Sequence, residues 1–490
     1  MEGVRPNVEA SGDALRPEEM ATGTVEGLPQ VASETGATKE AAVAAVANED
    51  VVAKVTLEAE GAVETAVRRG TPNDSPVGGR LARFAVAWEG APRWARSIVQ
   101  GGLAWKFKEK PPRSWPTVEP HASLFPELEA MLVKEVIEPC RRPKFGAKLF
   151  PVPKPDGSIR MIIDLSELNR YIVVRTFRFP SIKDLRKELH QGYFMAKLDL
   201  KDAYWHVPIA RKFRSFLAFK WRKRFWRFKV MPFGLSVAPV AFQALMNFPR
   251  KQLLSRGVNL LAYLDDLVIW APSLDLCSQA VRLTVGLLDR LGFLINWKKS
   301  QLDPTREMVW LGVRWNSQRV VMSLPEEAAV RLAGAVGRFR ASQRSNRRML
   351  ESLLGSMAFV GQWLPEARLH KNLCLPYLAN FPLDRKIRVC PPGDLLNELV
   401  WWQRPGNATQ EVALHPPEPV VWFWADASDV GWGAHLADGR WAAGKWSGID
   451  QDLHINRKEI RAVLWGLQEL TPVPKSRLVL EIREFKNCSN

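Results

Sequence analysis

The sequence predicts an α+β fold, short antiparallel strand pairs alternating with amphipathic helices, behind a tail that lacks the composition to build a core. Two hairpins carry the β half of that reading. Residues 260–271 (LLAYLDDLVIWA) are an apolar run with aromatic and β-branched side chains, broken only by Asp265 and Asp266. Residues 148–169 (KLFPVPKPDGSIRMIIDLSELN) set two apolar runs on either side of Lys154-Pro155-Asp156-Gly157, a combination that favours a turn. The helical half rests on 3.6-residue periodicity, as in 125–137 (FPELEAMLVKEVI) and 277–291.

In chain order, residues 1–80 are an acidic Ala/Glu-rich tail and linker. Residues 1–70 carry 13 Asp/Glu against 6 Lys/Arg. With almost no aromatic residues they bury too little to offset their ordering entropy, so the tail is expected to be disordered. Within it, 39–67 has the composition of a loose helix, and 69–80 (RGTPNDSPVGGR) that of a linker. The helix over 125–137 should end before Pro139, followed by the 148–169 hairpin and a helix over 182–191. Residues 194–209 (FMAKLDLKDAYWHVPI) open with strand alternation, which puts Asp199 near the strand's end and Tyr204 just beyond it. In 211–230 (RKFRSFLAFKWRKRFWRFKV) aromatic and basic residues interleave along a hairpin. That pattern suits a groove for nucleic acid, and equally an aromatic core face backed by a solvated basic one. A turn and helix over 231–246 and the 260–271 hairpin come next. They are followed by a helix over 277–291, a strand and turn over 292–304, and a strand pair over 310–315 bent at Gly312. Helices fill 325–359 and beyond, and 380–418 is a Pro-rich connection. Strands return over 420–436 and 441–446, then a helix over 453–470 and a last strand over 477–482.

Charge narrows the class of partner. Beyond residue 70 the chain carries 63 Lys/Arg and 39 Asp/Glu, a basic body that suits a polyanion, most commonly nucleic acid. The five cysteines, Cys140, Cys277, Cys374, Cys390 and Cys488, are scattered and form no CxxC pair, which argues against a disulfide framework or zinc ribbon and fits a reducing compartment. No signal-peptide pattern opens the chain and no apolar stretch is long enough to cross a membrane, so an intracellular location is expected, nucleus or cytoplasm left open. Asp265 and Asp266 repel one another. A divalent cation held by carboxylate oxygens is one way to compensate them, and a solvent-facing Asp-Asp turn is the other.

The pieces PKPDGSIRMIIDLSELN, LDLKDAYWHVPI, MPFGLSVAPVAFQ, YLDD, GFLINWKKS and WLGV, in this order over 125–320, resemble the reverse-transcriptase palm and its fingers. The wording FRSFLAF, MPFGLS and WADASDVGWGAHL is most similar to tyrosine-recombinase retrotransposons of the DIRS type. The resemblance implies a right-hand polymerase: fingers and palm over 81–317, a helical thumb over 318–379 and a connection over 380–418. It also implies the activity, transfer of dNTPs onto a primer 3′-OH along an RNA or DNA template with two Mg²⁺ ions, Mn²⁺ being an alternative. Asp199, Asp265 and Asp266 match the family's metal ligands, Asp266 being the less secure third. Arg160 matches the arginine that grips the triphosphate, with Lys154 beside it. Tyr204 matches the side chain that excludes a 2′-OH. Phe233 stands where retroviral enzymes carry Gln, Gly234 permits close approach of template or dNTP, and Lys299 matches a lysine that serves the leaving pyrophosphate.

Residues 419–490 resemble the first part of a ribonuclease H domain, with Asp426 in WADASDVGWGAHL and Glu459 in HINRKEIRAVLWGL. The family's third carboxylate belongs in a TDN-like motif after the next strand, where this sequence reads LVLEIREFKNCSN. The resemblance therefore implies a truncated, inactive RNase H-like α/β unit. A catalytically inactive nucleic-acid-binding remnant is the rival to the polymerase. An RNA-dependent RNA polymerase is a further one, against which Tyr204 speaks.

Overall fold

The computed structural model describes residues 76–153, 159–415 and 423–470. The acidic tail with its expected helix over 39–67, Lys154 with its turn, and the strand expected over 477–482 lie outside the described residues. The chain divides into two units, the first ending at Leu414 and the second beginning at His415.

In chain order the strands of the first unit are β1 Ile137–Pro139, β2 Lys148–Pro153, β3 Ile159–Asp164, β4 Phe194–Asp199, β5 Ala218–Trp221, β6 Arg224–Phe228, β7 Asn259–Tyr263, β8 Asp266–Ala271, β9 Gln301–Thr305, β10 Glu307–Trp310, β11 Val313–Asn316, β12 Val321–Ser323 and β13 Val412–Ala413. The central sheet has the order β7-β8-β4-β9 and is antiparallel throughout. Its strands β7 and β8 are mostly apolar runs because both of their faces are covered. Along β4 and β8 the pleat sends Ala196, Leu198, Leu267 and Ile269 into one core, and Met195, Val268 and Trp270 into a second. The first core is shared with helices Ala238–Leu254 and Leu274–Arg290, the second with helices Glu326–Ala341 and Arg347–Val360. A one-residue slip would exchange every side chain between the two cores, so the register is strongly specified. That register sets Asp199 directly opposite Asp266.

Several sequence expectations are corrected. The helix expected over 125–137 ends at Val133, because Glu135 adopts φ 56° and the Val136 N–H bonds back to the Met131 carbonyl; Ile137–Pro139 is instead a strand. The linker is shorter than expected: Val77 and Leu81 are already in the first core. The helix expected from Cys277 starts at Leu274, capped by the Ser273 hydroxyl, which accepts from the Leu276 N–H. In 292–304 only Gln301–Thr305 is strand, while 296–300 forms a turn. The Pro-rich connection, whose conformation the sequence reading left open, contains packed elements. Leu395, Leu399, Trp402 and Leu414 enter the second core, and β13 joins β10, β11 and β12 as the fourth strand of a sheet. Apolar anchors every few residues outweigh the prolines there. In 211–230 the aromatics Phe219, Trp221 and Phe228 are buried. On the basic side, Arg214 and Arg227 pair with Glu138 and Arg222 pairs with Glu129, so the core reading of that stretch holds.

The second unit is a meander of β14 Phe423–Ala427, β15 Gly431–Leu436 and β16 Trp441–Lys445, crossed by the helix Ile455–Leu470. The helix packs closely at Gly466, where a Cβ would come within 2.4 Å of Ala434 Cβ. Among the described residues no helix is long and apolar enough to cross a membrane.

Candidate active site

The acidic pair sits on a tight hairpin. Tyr263 pairs with Asp266, leaving Leu264 and Asp265 as a two-residue connection. Leu264 takes φ 55°, a conformation that costs a non-glycine residue about 1–3 kcal/mol unless its surroundings enforce it. The enforcement comes from Gln243, fully buried in the helix Ala238–Leu254. Its Oε1 accepts from the Leu264 N–H at 2.8 Å and its Nε2 donates to the Ala262 carbonyl at 2.7 Å. One side-chain amide thus holds both ends of the strained turn. Sequence reading missed Gln243. The signal available was a lone amide between Phe242 and Ala244 on a helix that is otherwise apolar there.

Asp199 closes β4 and is held by the 296–300 turn. Asn296 Nδ2 donates to Asp199 Oδ1 at 2.8 Å, the Asn296 N–H donates to the Asp199 carbonyl at 2.8 Å, and the Asp199 N–H donates to Ser300 Oγ at 3.0 Å. The Leu200 N–H donates to the Asp265 carbonyl at 2.9 Å, tying the two acidic segments together by backbone. Asn296 and Ser300 were also missed, since a polar turn after an apolar strand reads as ordinary surface.

The electrostatics are those of a site awaiting positive charge. Burial holds the Asp265 carboxyl above the usual range, and the neighbouring Asp199 charge adds to the effect. Burial pushes Asp266 up to about 6 against the pull of Lys197. Asp266 Oδ1 is buried with no hydrogen-bond partner, an expensive state for a carboxylate oxygen. Among the described residues no group of three or more His, Cys, Asp or Glu side chains is arranged so that it could hold a metal ion. The donor set and the orphaned Oδ1 nonetheless fit a hard divalent cation.

The other expected residues divide. Tyr204 is nearly buried beside the pair, its phenol pushed up by burial and by the Asp265 charge, and its ring lies 5.0 Å from that of exposed Phe233. Gly234 has φ 87°, and a Cβ there would meet the Ile163 carbonyl at 3.0 Å. Its own carbonyl accepts from Asn169 Nδ2 at 2.8 Å, so the last residue of DLSELN fixes this turn. Lys299 is exposed, and its charge stabilises the Asp265 carboxylate. Arg160 lies on β3 opposite Val152. In the second unit Asp426 and Glu459 are both exposed, and no hydrogen bond or ion pair joins them. Buried Lys458 instead donates to the Asp429 carbonyl at 3.2 Å.

A family model described as reverse transcriptase (RNA-dependent DNA polymerase) matches residues 152–315, a span that contains Lys154, Arg160 and the other polymerase residues above. The genome polyprotein of Petunia vein clearing virus (isolate Shepherd) is 24% identical over 383 residues, covering 72% of this chain and 16% of its own length. The Transposon Tf2-3 polyprotein of Schizosaccharomyces pombe is 23% identical over 340 residues, covering 65% of this chain and 23% of its own length. The chain thus spans less than a quarter of either relative. Among solved structures, the foamy viral protease-reverse transcriptase dRH in complex with double-stranded DNA superposes with a TM-score of 0.54 at 15% identity, covering 79% of this chain and 71% of that one. The foamy viral protease-reverse transcriptase in complex with double-stranded DNA gives 0.51 at 15% identity, covering 81% and 92%. These likenesses show a shared fold, the right-hand polymerase. Reverse transcriptases generally use divalent metal ions, which agrees with the carboxylate site. Residues 152–315 thus match a reverse transcriptase domain, and the chain is similar to polyproteins of a plant virus and a yeast transposon that it spans only in part.

Proposed function

We propose that this chain extends a nucleic-acid primer with dNTPs on an RNA or DNA template, using Asp199, Asp265 and Asp266 as the carboxylates of a two-Mg²⁺ site. The observation that carries the residue assignment is the register of β4 on β8. It brings Asp199 against a hairpin whose second aspartate has a buried, unpartnered oxygen. When bound, the two ions would activate the attacking 3′-oxygen and stabilise the leaving one. Asp199 and Asp265 are the principal ligands, and Asp266 contributes through Oδ1. Arg160, with Lys154, grips the triphosphate through charge-assisted hydrogen bonds. Tyr204, backed by Phe233, closes the space a 2′-OH would need, and Gly234 lets the backbone approach the incoming nucleotide. Lys299 neutralises the leaving pyrophosphate. The family wording supports a DIRS-type origin.

Primer extension on poly(rA)/oligo(dT) with Mg²⁺ tests this reading. Incorporation of dTTP that is lost in Asp265→Asn supports it. A well-folded protein that incorporates nothing favours the inactive nucleic-acid-binding remnant. Tyr204→Ala should raise rNTP incorporation, and unchanged sugar selectivity would remove the gate role.

A further inference from the structure

Lys197 has no part in the chemistry above, yet it touches it. It lies on β4 two residues before Asp199, so the pleat points both side chains to the same face. Its Nζ is 3.4 Å from Asp266 Oδ2, and the two side chains are only 24% and 22% exposed. The contact is a diagonal one across paired strands, since Asp266 stands opposite Asp199 and Lys197 opposite Val268. Each carboxylate of the trio therefore has its own support. Asn296 holds Asp199, the clamped turn holds Asp265, and Lys197 holds Asp266. The two oxygens of Asp266 are unequal as a result: Oδ2 faces the ammonium, while Oδ1 is buried and unpartnered.

We propose that Lys197 is a resident counter-ion for Asp266, which lets a second aspartate stand in the partly buried turn without a bound cation and leaves Oδ1 as that residue's one available ligand atom. Lys197 is thus a positioning residue, and it weakens the cation site by placing a fixed positive charge beside it. The counter-ion role stands on the ion pair alone, whereas the effect on the cation rests on the polymerase reading.

The test uses the purified chain without nucleotide or template, with Mn²⁺ as the probe. In metal-free buffer at pH 8, Lys197→Met should lower Tm by about 2 °C or more, because it leaves a half-buried carboxylate uncompensated. Lys197→Arg should stay near wild type. The loss should vanish when Lys197→Met is made in an Asp266→Asn background, which isolates the pair from general packing. Mn²⁺ binding, read by electron paramagnetic resonance, should tighten in Lys197→Met by about threefold or more as a like charge is removed. A Tm loss that persists in the Asp266→Asn background, or no loss at all, overturns the counter-ion role. Unchanged or weaker Mn²⁺ binding overturns the weakening of the cation site. If no variant binds Mn²⁺, the polymerase reading fails at its metal, and the Tm cycle still decides whether Lys197 serves Asp266.

Discussion

Asp265 and Asp426 both lie at or beside the end of a short antiparallel strand, and the sequence resemblance implies a metal ligand at each, yet their surroundings differ. Asp265 is half-buried, repelled by Asp199, and carried on a turn that a buried Gln243 holds in a strained conformation. Asp426 is exposed, its carboxylate accepts from the N–H of the next residue, and its expected companion Glu459 is exposed as well. In the first arrangement burial and the Asp199 charge both disfavour the ionised carboxyl, a burden that a cation would relieve. Acidic residues at a strand end mark a candidate. Desolvation, mutual repulsion and enforced geometry are what distinguish a poised site.

The largest expected effect separates the two regions directly. Asp265→Asn should lower primer extension by about 10³-fold, the several kcal/mol that a metal ion supplies to a charged transition state, while Asp426→Asn leaves it unchanged. Equal effects would remove the distinction.

Gln243→Leu comes next. It leaves the Leu264 N–H without its acceptor, which should cost about 2 kcal/mol of stability, read from denaturant unfolding. The misplaced turn should lose about 10²-fold in kcat. Adding Leu264→Gly relieves the strain and should recover part of the rate, a recovery that simple loss of packing would not allow.

A smaller loss, about tenfold in kcat, is expected for Asn296→Ala, since Asp199 keeps its backbone bonds to the 296–300 turn and loses one side-chain hydrogen bond. No change in kcat would mean that the backbone alone orients Asp199.

A separate effect is on stability and pH rather than on rate. Asp266 rises from 3.8 to about 6 on folding, so between those values the folded state binds more protons than the unfolded one. Stability of the metal-free protein must then fall as pH rises through that window, by on the order of 3 kcal/mol once above pH 6. Asp266→Asn lacks this loss. Its Tm should therefore gain on wild type between pH 4 and pH 7, and parallel Tm curves would show that burial does not burden Asp266.

Much of this site was legible in the sequence because strand period and apolar content carry it. The alternation in FMAKLD places Asp199 at a strand's end, and LLAYLDDLVIWA is a hairpin by composition alone. What was not legible is the support. Gln243, Asn296, Asn169 and Lys197 act through one or two hydrogen bonds or an ion pair with residues far along the chain, and no local pattern announces a partner. The packing of the 380–414 connection was not legible for a related reason. Its prolines are visible locally, whereas the pull of Leu395, Leu399 and Trp402 comes from a core assembled elsewhere.

Iron-directed cleavage tests where a cation resides. Fe²⁺ substituted for Mg²⁺, with ascorbate and peroxide, generates hydroxyl radicals that cut the backbone beside the bound ion. The expected fragments end near Asp199 and near Asp265, are protected by excess Mg²⁺, and disappear in Asp265→Asn. Cuts near Asp426 and none at the first unit's hairpin would place the metal in the wrong half of the chain and contradict the assignment.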